Sequence, residues 1–330
     1  MTVAVENAAG RAGVPSGGPG PTIWLGGRFR LDERVTEAGG LPVGQGSLWR
    51  ATDALLYRPV AIHLLASGVR VPAHVLAAVQ AAARVNDPRL ATIYDTDYDL
   101  EGPYIVSEWT PGTHLEDLVL SGLPRPALAA AMIADAADAL AVAHRAGRPH
   151  LCLSPRSLRW DTGSGLKITG LGIDAALSGV DTAGAHAADP AAAAVTDTMA
   201  LARMLYALLT GFWPGEEATA LPPAPRYKGR VCTPRQVRAG VPAMLDAITY
   251  RALLGQAPDA PTRPLAPAGL AMALWGVGRP SLRLVGPPET DTEPAADGLP
   301  VRRAGRAGRA RHARARDGLL HHTMLLRSAV

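Results

Sequence analysis

The sequence predicts an α+β chain, with a small strand-rich first part and a larger helical second part. Three observations predict it. Apolar residues alternate in short runs near the start, as in Phe29 and Leu31 and in Val60, Ile62 and Leu64. An Ala-rich run from Ala127 to Ala146 places Ile133, Ala137, Leu140 and His144 at helical spacing. Further helical runs follow to residue 275, broken by Gly and Pro. A chain of 330 residues, 48% hydrophobic, is long enough to bury a large core in one two-part unit.

Residues 1–24 are rich in Gly, Pro and small side chains and are expected to be disordered. Phe29 to Val35, Leu48 to Ala51 and Val60 to Leu64 read as three strands. Ala73–Val85 reads as a helix that ends before Asn86-Asp87-Pro88. Leu90–Tyr94 and Tyr104–Glu108 read as two more strands, and Leu115–Leu120 as a short helix. Ala127–Ala146 is a long helix stopped by Gly147, with His144 read as a structural residue at its end. Thr196–Leu209 is a central helix stopped by Thr210-Gly211. A Pro- and Gly-rich loop over 213–230 separates it from helices at Met244–Leu254 and Ala266–Trp275. Residues 281–330 form a polar and then Arg-rich tail.

Net charge is +4, but seven arginines fall between Arg302 and Arg316, and without them the remainder carries −3. The basic character therefore belongs to the tail. A solvated tail, contact with an anionic membrane surface and nucleic-acid binding are all open readings of it. Nucleic acid is the least favoured, because the segment lacks interleaved aromatic residues. Cys152 and Cys232 make no metal-ligand spacing and read as two thiols. Neither a signal peptide nor an uninterrupted apolar run of about 18 residues is found, so a soluble protein is expected.

Val60–His63, Tyr104–Glu108, His150 to Pro155, Lys167–Gly172, Asp197, Gly211 and Arg263-Pro264 form an ordered set that resembles the motifs of the Ser/Thr protein kinase family, whose fold has a β-rich N-lobe and a helical C-lobe. Val60-Ala61-Ile62-His63 resembles the strand that carries the phosphate-gripping Lys, with His63 in the Lys place. Counting back from Pro88 puts Ala78 where the paired Glu belongs. Tyr104–Glu108 resembles the approach to the hinge. His150-Leu151-Cys152-Leu153-Ser154-Pro155-Arg156-Ser157 resembles the catalytic loop, and Gly170-Leu171-Gly172 stands at the Asp-Phe-Gly position. The resemblance covers roughly residues 25–278 and implies an N-lobe over 25–110 and a C-lobe over 111–280.

The family's structural residues stand at His150, Pro155, Gly172, Asp197 and Arg263. Asp197 is expected to hold the catalytic loop through backbone hydrogen bonds. The family's catalytic residues are replaced: Cys152 stands for the base, Ser154 for the catalytic-loop Lys, Ser157 for the metal-binding Asn and Gly170 for the metal-binding Asp. Arg159 stands where the family has an apolar floor under adenine, and is expected to fill the cleft against Glu108 or another carboxylate, or else to point outward. The first loop, Thr36–Gly46, has the wrong glycine spacing, with Gly46 alone well placed. Only 27 positions separate Gly170 from Asp197, too few for a usual activation segment, and Ala188-Asp189-Pro190 is the nearest remnant of Ala-Pro-Glu. Asp161 and Asp174 are set aside as replacement catalytic carboxylates.

The resemblance implies a pseudokinase with no catalytic residue, bound nucleotide, metal or other cofactor. Within the family it closely resembles the actinobacterial pseudokinases associated with the lipid II flippase of peptidoglycan synthesis. That implies a cytoplasmic scaffold or regulator, peripheral at the inner face of the cell membrane. Its implied partner is the flippase or a forkhead-associated domain protein that reads phosphothreonine, with Thr290 and Thr292 in an acidic stretch. Two alternatives stay open: a divergent Ser/Thr kinase, whose mark would be a carboxylate reaching the site near Gly170, and a nucleic-acid-binding regulator acting through the tail.

Overall fold

The computed structural model describes residues 23–35, 46–66, 73–180, 189–253 and 265–277. Its first part is an antiparallel sheet built from β1 (Trp24–Leu25), β2 (Phe29–Val35), β3 (Gly46–Asp53), β4 (Arg58–Leu65), β5 (Ile93–Asp99) and β6 (Gly102–Glu108), in the order β1-β2-β3-β4-β6-β5. The period of two along β4 sends Val60 and Ile62 into a core with Leu25, Phe29, Leu31, Ala51, Tyr104 and Val106. It sends Ala61 and His63 to the opposite face, toward the cleft between the lobes. The β3–β4 turn is held by buried Asp53, which accepts hydrogen bonds from the Leu55 and Leu56 amides and a two-point ion pair from Arg28.

Helix α1 (Ala73–Ala82) lies beside this sheet. Val75 and Val79 on it pack with Ile105 of β6 and with Ile173 and Ala176 of the second part. That part contains β7 (Thr113–His114), α2 (Leu115–Ser121), α3 (Pro126–Arg145), the hairpin β8 (Leu158–Asp161) to β9 (Gly165–Ile168), and the short α4 (Asp174–Leu177). It continues through α5 (Pro190–Thr210), β10 (Arg226–Tyr227), β11 (Arg230–Val231), α6 (Pro234–Val237), α7 (Ala243–Leu253) and α8 (Pro267–Trp275). Most alanines of α3 are buried, and the helix packs on α5 and α8, where small side chains let the helix axes approach closely. By length and composition both α3 and α5 could cross a membrane, although no uninterrupted apolar run was read there. Most of each lies inside the core.

Two elements differ from expectation. The strand read as Leu90–Tyr94 begins at Ile93 and runs on to Asp99, while Leu90 makes an isolated parallel bridge to Ile168. Most of β5 faces solvent at the sheet edge, so its Asp, Thr and Tyr residues carry no apolar alternation. The central helix starts at Pro190 and not at Thr196. The Asp189 carboxylate accepts hydrogen bonds from the Ala191 and Ala192 amides, with Pro190 in the first turn. Asp189-Pro190 thus caps this helix. The helix stops at Gly211, whose φ of 85° is the left-handed conformation expected there.

Several ties join the two parts. Ala91 N–H donates to the Ile168 carbonyl (2.8 Å), and Ile168 N–H donates to the Arg89 carbonyl (2.7 Å). The Arg89 guanidinium pairs with Asp87 and with Asp138 of α3, and donates to the Asp135 carbonyl. Those carboxylates raise its pKa further. At the end of β6, Glu108 pairs with Lys167 of β9 at 2.5 Å.

Candidate functional site

The loop after α3 is held from below by Asp197. Its fully buried carboxylate accepts hydrogen bonds from the His150 amide (2.8 Å), the Leu151 amide (2.7 Å) and the His144 ring (2.8 Å). Leu151 has a φ of 65°, rare for a branched side chain, and its amide is one of the groups so held. His144 was read as a helix-end residue only, and its bond to Asp197 was missed. The His150 ring, also fully buried, reaches the Thr169 carbonyl through Nε2 (2.8 Å) and so ties the loop to the residue after β9.

The replaced positions each have a local structural explanation. Ser154 and Ser157 face one another, with hydroxyl oxygens 3.2 Å apart and the Ser154 amide donating to the Ser157 hydroxyl. Pro155 is buried between them. Burial pushes the Cys152 thiol up, so Cys152 is no substitute for a carboxylate base. Ala78 packs against the cluster of Val75, Val79, Ile105, Ile173 and Ala176. A Cβ at Gly172 would come within 2.4 Å of the Ala82 side chain and 3.1 Å of the Ala78 carbonyl, so α1 rests directly on this corner. His63 is buried, its Nδ1 has no hydrogen-bond partner, and burial lowers its pKa to about 4. The ring is therefore neutral near pH 7 and supplies no cation for a phosphate. Gly46 begins β3, and a Cβ there would meet the Leu64 carbonyl at 2.6 Å. Arg263, residues 36–45 and the tail with Thr290, Thr292 and Arg302–Arg316 lie outside the described residues.

Arg159 turns into the cleft. Its guanidinium donates to the Gly112 carbonyl (2.7 Å), contacts His114 Nε2 (2.9 Å) and lies 5.8 Å from the centre of the Trp109 ring. The partner expected for it was Glu108 or another carboxylate, but Glu108 is committed to Lys167. Arg159 Nε has no hydrogen-bond partner, and burial lowers the guanidinium pKa.

Gly170 corrects the sequence reading most. Asp174, set aside above, brings its carboxylate to this residue. A Cβ built on Gly170 would meet Asp174 Oδ2 at 2.0 Å. The chain turns back at Gly170, whose carbonyl accepts from both the Ile173 and Asp174 amides. The turn places residue i+4 over residue i, in the space a side chain at 170 would enter. Burial pushes Asp174 up to about 6, with the nearby His150 ring acting in the opposite sense. A spacing of four residues from Gly170 was the available signal.

His63, Ser157, Arg159, Gly170 and Asp174 line a cleft between the lobes of about 60 Å³. Small-molecule pockets typically have about 300–1,000 Å³. Magnesium–nucleotide binding needs a phosphate-gripping cation and oxygen ligands for the metal. Here His63, expected in the Lys place, is neutral, Ala78, expected in the Glu place, packs against an apolar cluster, and Ser157 is bonded to Ser154. Arg159 also lies across this cleft on Gly112, His114 and Trp109. No group of three or more His, Cys, Asp or Glu among the described residues could hold a metal ion. The residues present do not fit a magnesium nucleotide.

No family model matches the chain. It is 28% identical over 267 residues to the serine/threonine-protein kinase PknB of Mycolicibacterium smegmatis, covering 66% of this chain and 42% of that one. It is 29% identical over 236 residues to PknB of Mycobacterium tuberculosis, covering 64% and 38%. With the serine/threonine-protein kinase PknL of M. tuberculosis it shares 26% over 224 residues, covering 62% and 56%. The chain thus spans about two fifths of the PknB proteins. Among solved structures, the M. tuberculosis PknI kinase domain superposes with a TM-score of 0.56 at 17% identity, covering 78% of this chain and 98% of that domain. Rad53 residues 1–466, in complex with AMP-PNP, gives 0.54 at 16% identity, covering 73% and 64%. The chain has the bilobal protein-kinase fold, and the curated relatives named above are mycobacterial Ser/Thr protein kinases.

Proposed function

We propose that the protein is a pseudokinase, catalytically inactive, which acts as a scaffold or regulator through its surface. The observation that carries this reading is Arg159, seated across the cleft on Gly112, His114 and Trp109. Arg159 is half-buried there, and a purine could enter this part of the cleft only if its bonds to Gly112 and His114 were broken. By its resemblance to the flippase-associated pseudokinases, the scaffold serves peptidoglycan synthesis at the inner face of an actinobacterial membrane. Its proposed partner is the lipid II flippase or a forkhead-associated domain protein.

The test is incubation with radiolabelled ATP and magnesium or manganese. No label transfers to the protein or to a general acceptor. The variant His63→Lys, Cys152→Asp, Gly170→Asp also stays inactive. Ala78, Ser154 and Ser157 still leave phosphate and metal unheld, and the new Asp at 170 collides with Asp174. Label transfer above a no-enzyme control would contradict the reading. A second reading, a divergent kinase, is favoured by Asp174 beside Gly170. Under it, label transfer occurs and is abolished by Asp174→Asn.

A further inference from the structure

Two buried polar groups face the cleft, Asp174 with the His150 ring as its nearby titratable neighbour and His63 with an unpartnered Nδ1. Asp174 is 5% exposed, and no arginine or lysine among the described residues neutralises its carboxylate. His63 is 8% exposed, lines the same cavity and leaves Nδ1 without a partner. Buried polar groups in native proteins are almost always paired, so a buried anion and a buried unpaired imidazole around one cavity call for a ligand. Elsewhere at the rim Glu108 is paired with Lys167 and Arg156 with Glu116, while Arg159 is held by the neutral groups of Gly112 and His114 with its Nε unpartnered.

The chemistry of the missing partner follows from these groups. It must be cationic to meet the one uncompensated carboxylate. An N–H donor on it meets the tautomer of His63 whose unpartnered Nδ1 is the acceptor. It must be small, because the cavity is about 60 Å³. A hard divalent cation is disfavoured, since it needs about six oxygen ligands and the site supplies one carboxylate. We propose that the cleft binds a small organic ammonium ion, with its charge against Asp174 and its remaining hydrogen-bonding capacity toward His63. The site is distinct from a nucleotide site in both charge and size, and does not depend on the scaffold reading.

The experiment is titration of the full-length protein with methylammonium chloride at pH 7.5, at constant ionic strength against sodium chloride. The readout is the amide chemical shifts of residues 169–174 and 61–64. Saturable shifts confined to these residues are expected, with none from sodium or from tetramethylammonium, which is larger and has no N–H. Asp174→Asn should weaken binding at least tenfold, and His63→Leu should weaken it independently if the first variant does not fold. The wild-type comparison itself needs no variant. Absence of saturable cleft shifts, equal shifts from sodium, or unchanged affinity in Asp174→Asn would overturn the proposal. The titration contains neither nucleotide nor divalent metal, so its outcome is separate from that of the scaffold reading.

Discussion

Asp197 holds two backbone amides and a histidine ring with one fully buried carboxylate. Removing one partner of such a charged, buried hydrogen-bond set costs about 3 kcal/mol or more. Asp197→Ala is therefore expected to melt about 10 °C below wild type or to aggregate. Cys152→Ser, at a half-buried thiol, should cost much less. Thermal unfolding followed by circular dichroism checks the pair, and equal melting temperatures would contradict this account of the loop. His63 and Asp174 give opposed pH dependences. The folded His63 titrates near 4, so between about pH 6.5 and 4 the unfolded chain takes up a proton that the folded chain refuses. That contribution is lost as pH falls. The folded Asp174 titrates near 6, so between about pH 4 and 6 the folded chain keeps a proton that the unfolded chain has released. That contribution is lost as pH rises. The two nearly cancel in the wild type. Denaturant unfolding across pH 4–6.5 should therefore show stability rising more steeply with pH in Asp174→Asn, and falling with pH in His63→Leu.

At the scale of elements, α1 and the Gly170–Gly172 corner are fitted to one another by small side chains. Ala78 and Ala82 leave room that Gly172 fills, and Val75 and Val79 close the contact with Ile173 and Ala176. Restoring a glutamate here does not restore an ion pair, because His63 is neutral. Ala78→Glu is expected to lower the melting temperature by several degrees through an uncompensated charge beside an apolar cluster. Gln80→Glu, on the exposed face of the same helix, should stay within about 0.5 kcal/mol of wild type. Equal effects of the two would show that α1 does not rest on the corner. The elements were legible in the sequence where burial is one-sided. The alternation of β4 and the apolar repeat of α3 are direct consequences of a buried face. The solvent-facing β5 has no such face, and the first turns of α5 carry mainly alanine, so both boundaries moved. Asp189-Pro190 carried the true start of α5 as a cap, but its likeness to a lost family motif masked it.

At the scale of the molecule, the order of motifs was enough to read the bilobal architecture. The contents of the cleft were only partly legible. Which residues were replaced could be read position by position. What fills the vacated space could not, because it depends on backbone turns: the reversal at Gly170 that brings in Asp174, and the closeness of β7 to β8 that lets His114 and Gly112 receive Arg159. If recruitment lies with the tail, deletion of residues 281–330 should leave the melting temperature of the body unchanged and reduce the partners that co-purify from cells. Recovery of the same partners would place recruitment on the kinase-like body.

The central claim is that this cleft does not accept a magnesium nucleotide. Thermal unfolding of the full chain over a titration of magnesium–ATP tests it most directly. A ligand at about 100 times its dissociation constant adds roughly 2.7 kcal/mol of stability, well within detection. With Arg159 across the cleft and a neutral His63 at the phosphate end, the melting temperature should not change at any nucleotide concentration. A saturable rise, absent with magnesium alone, would contradict the account.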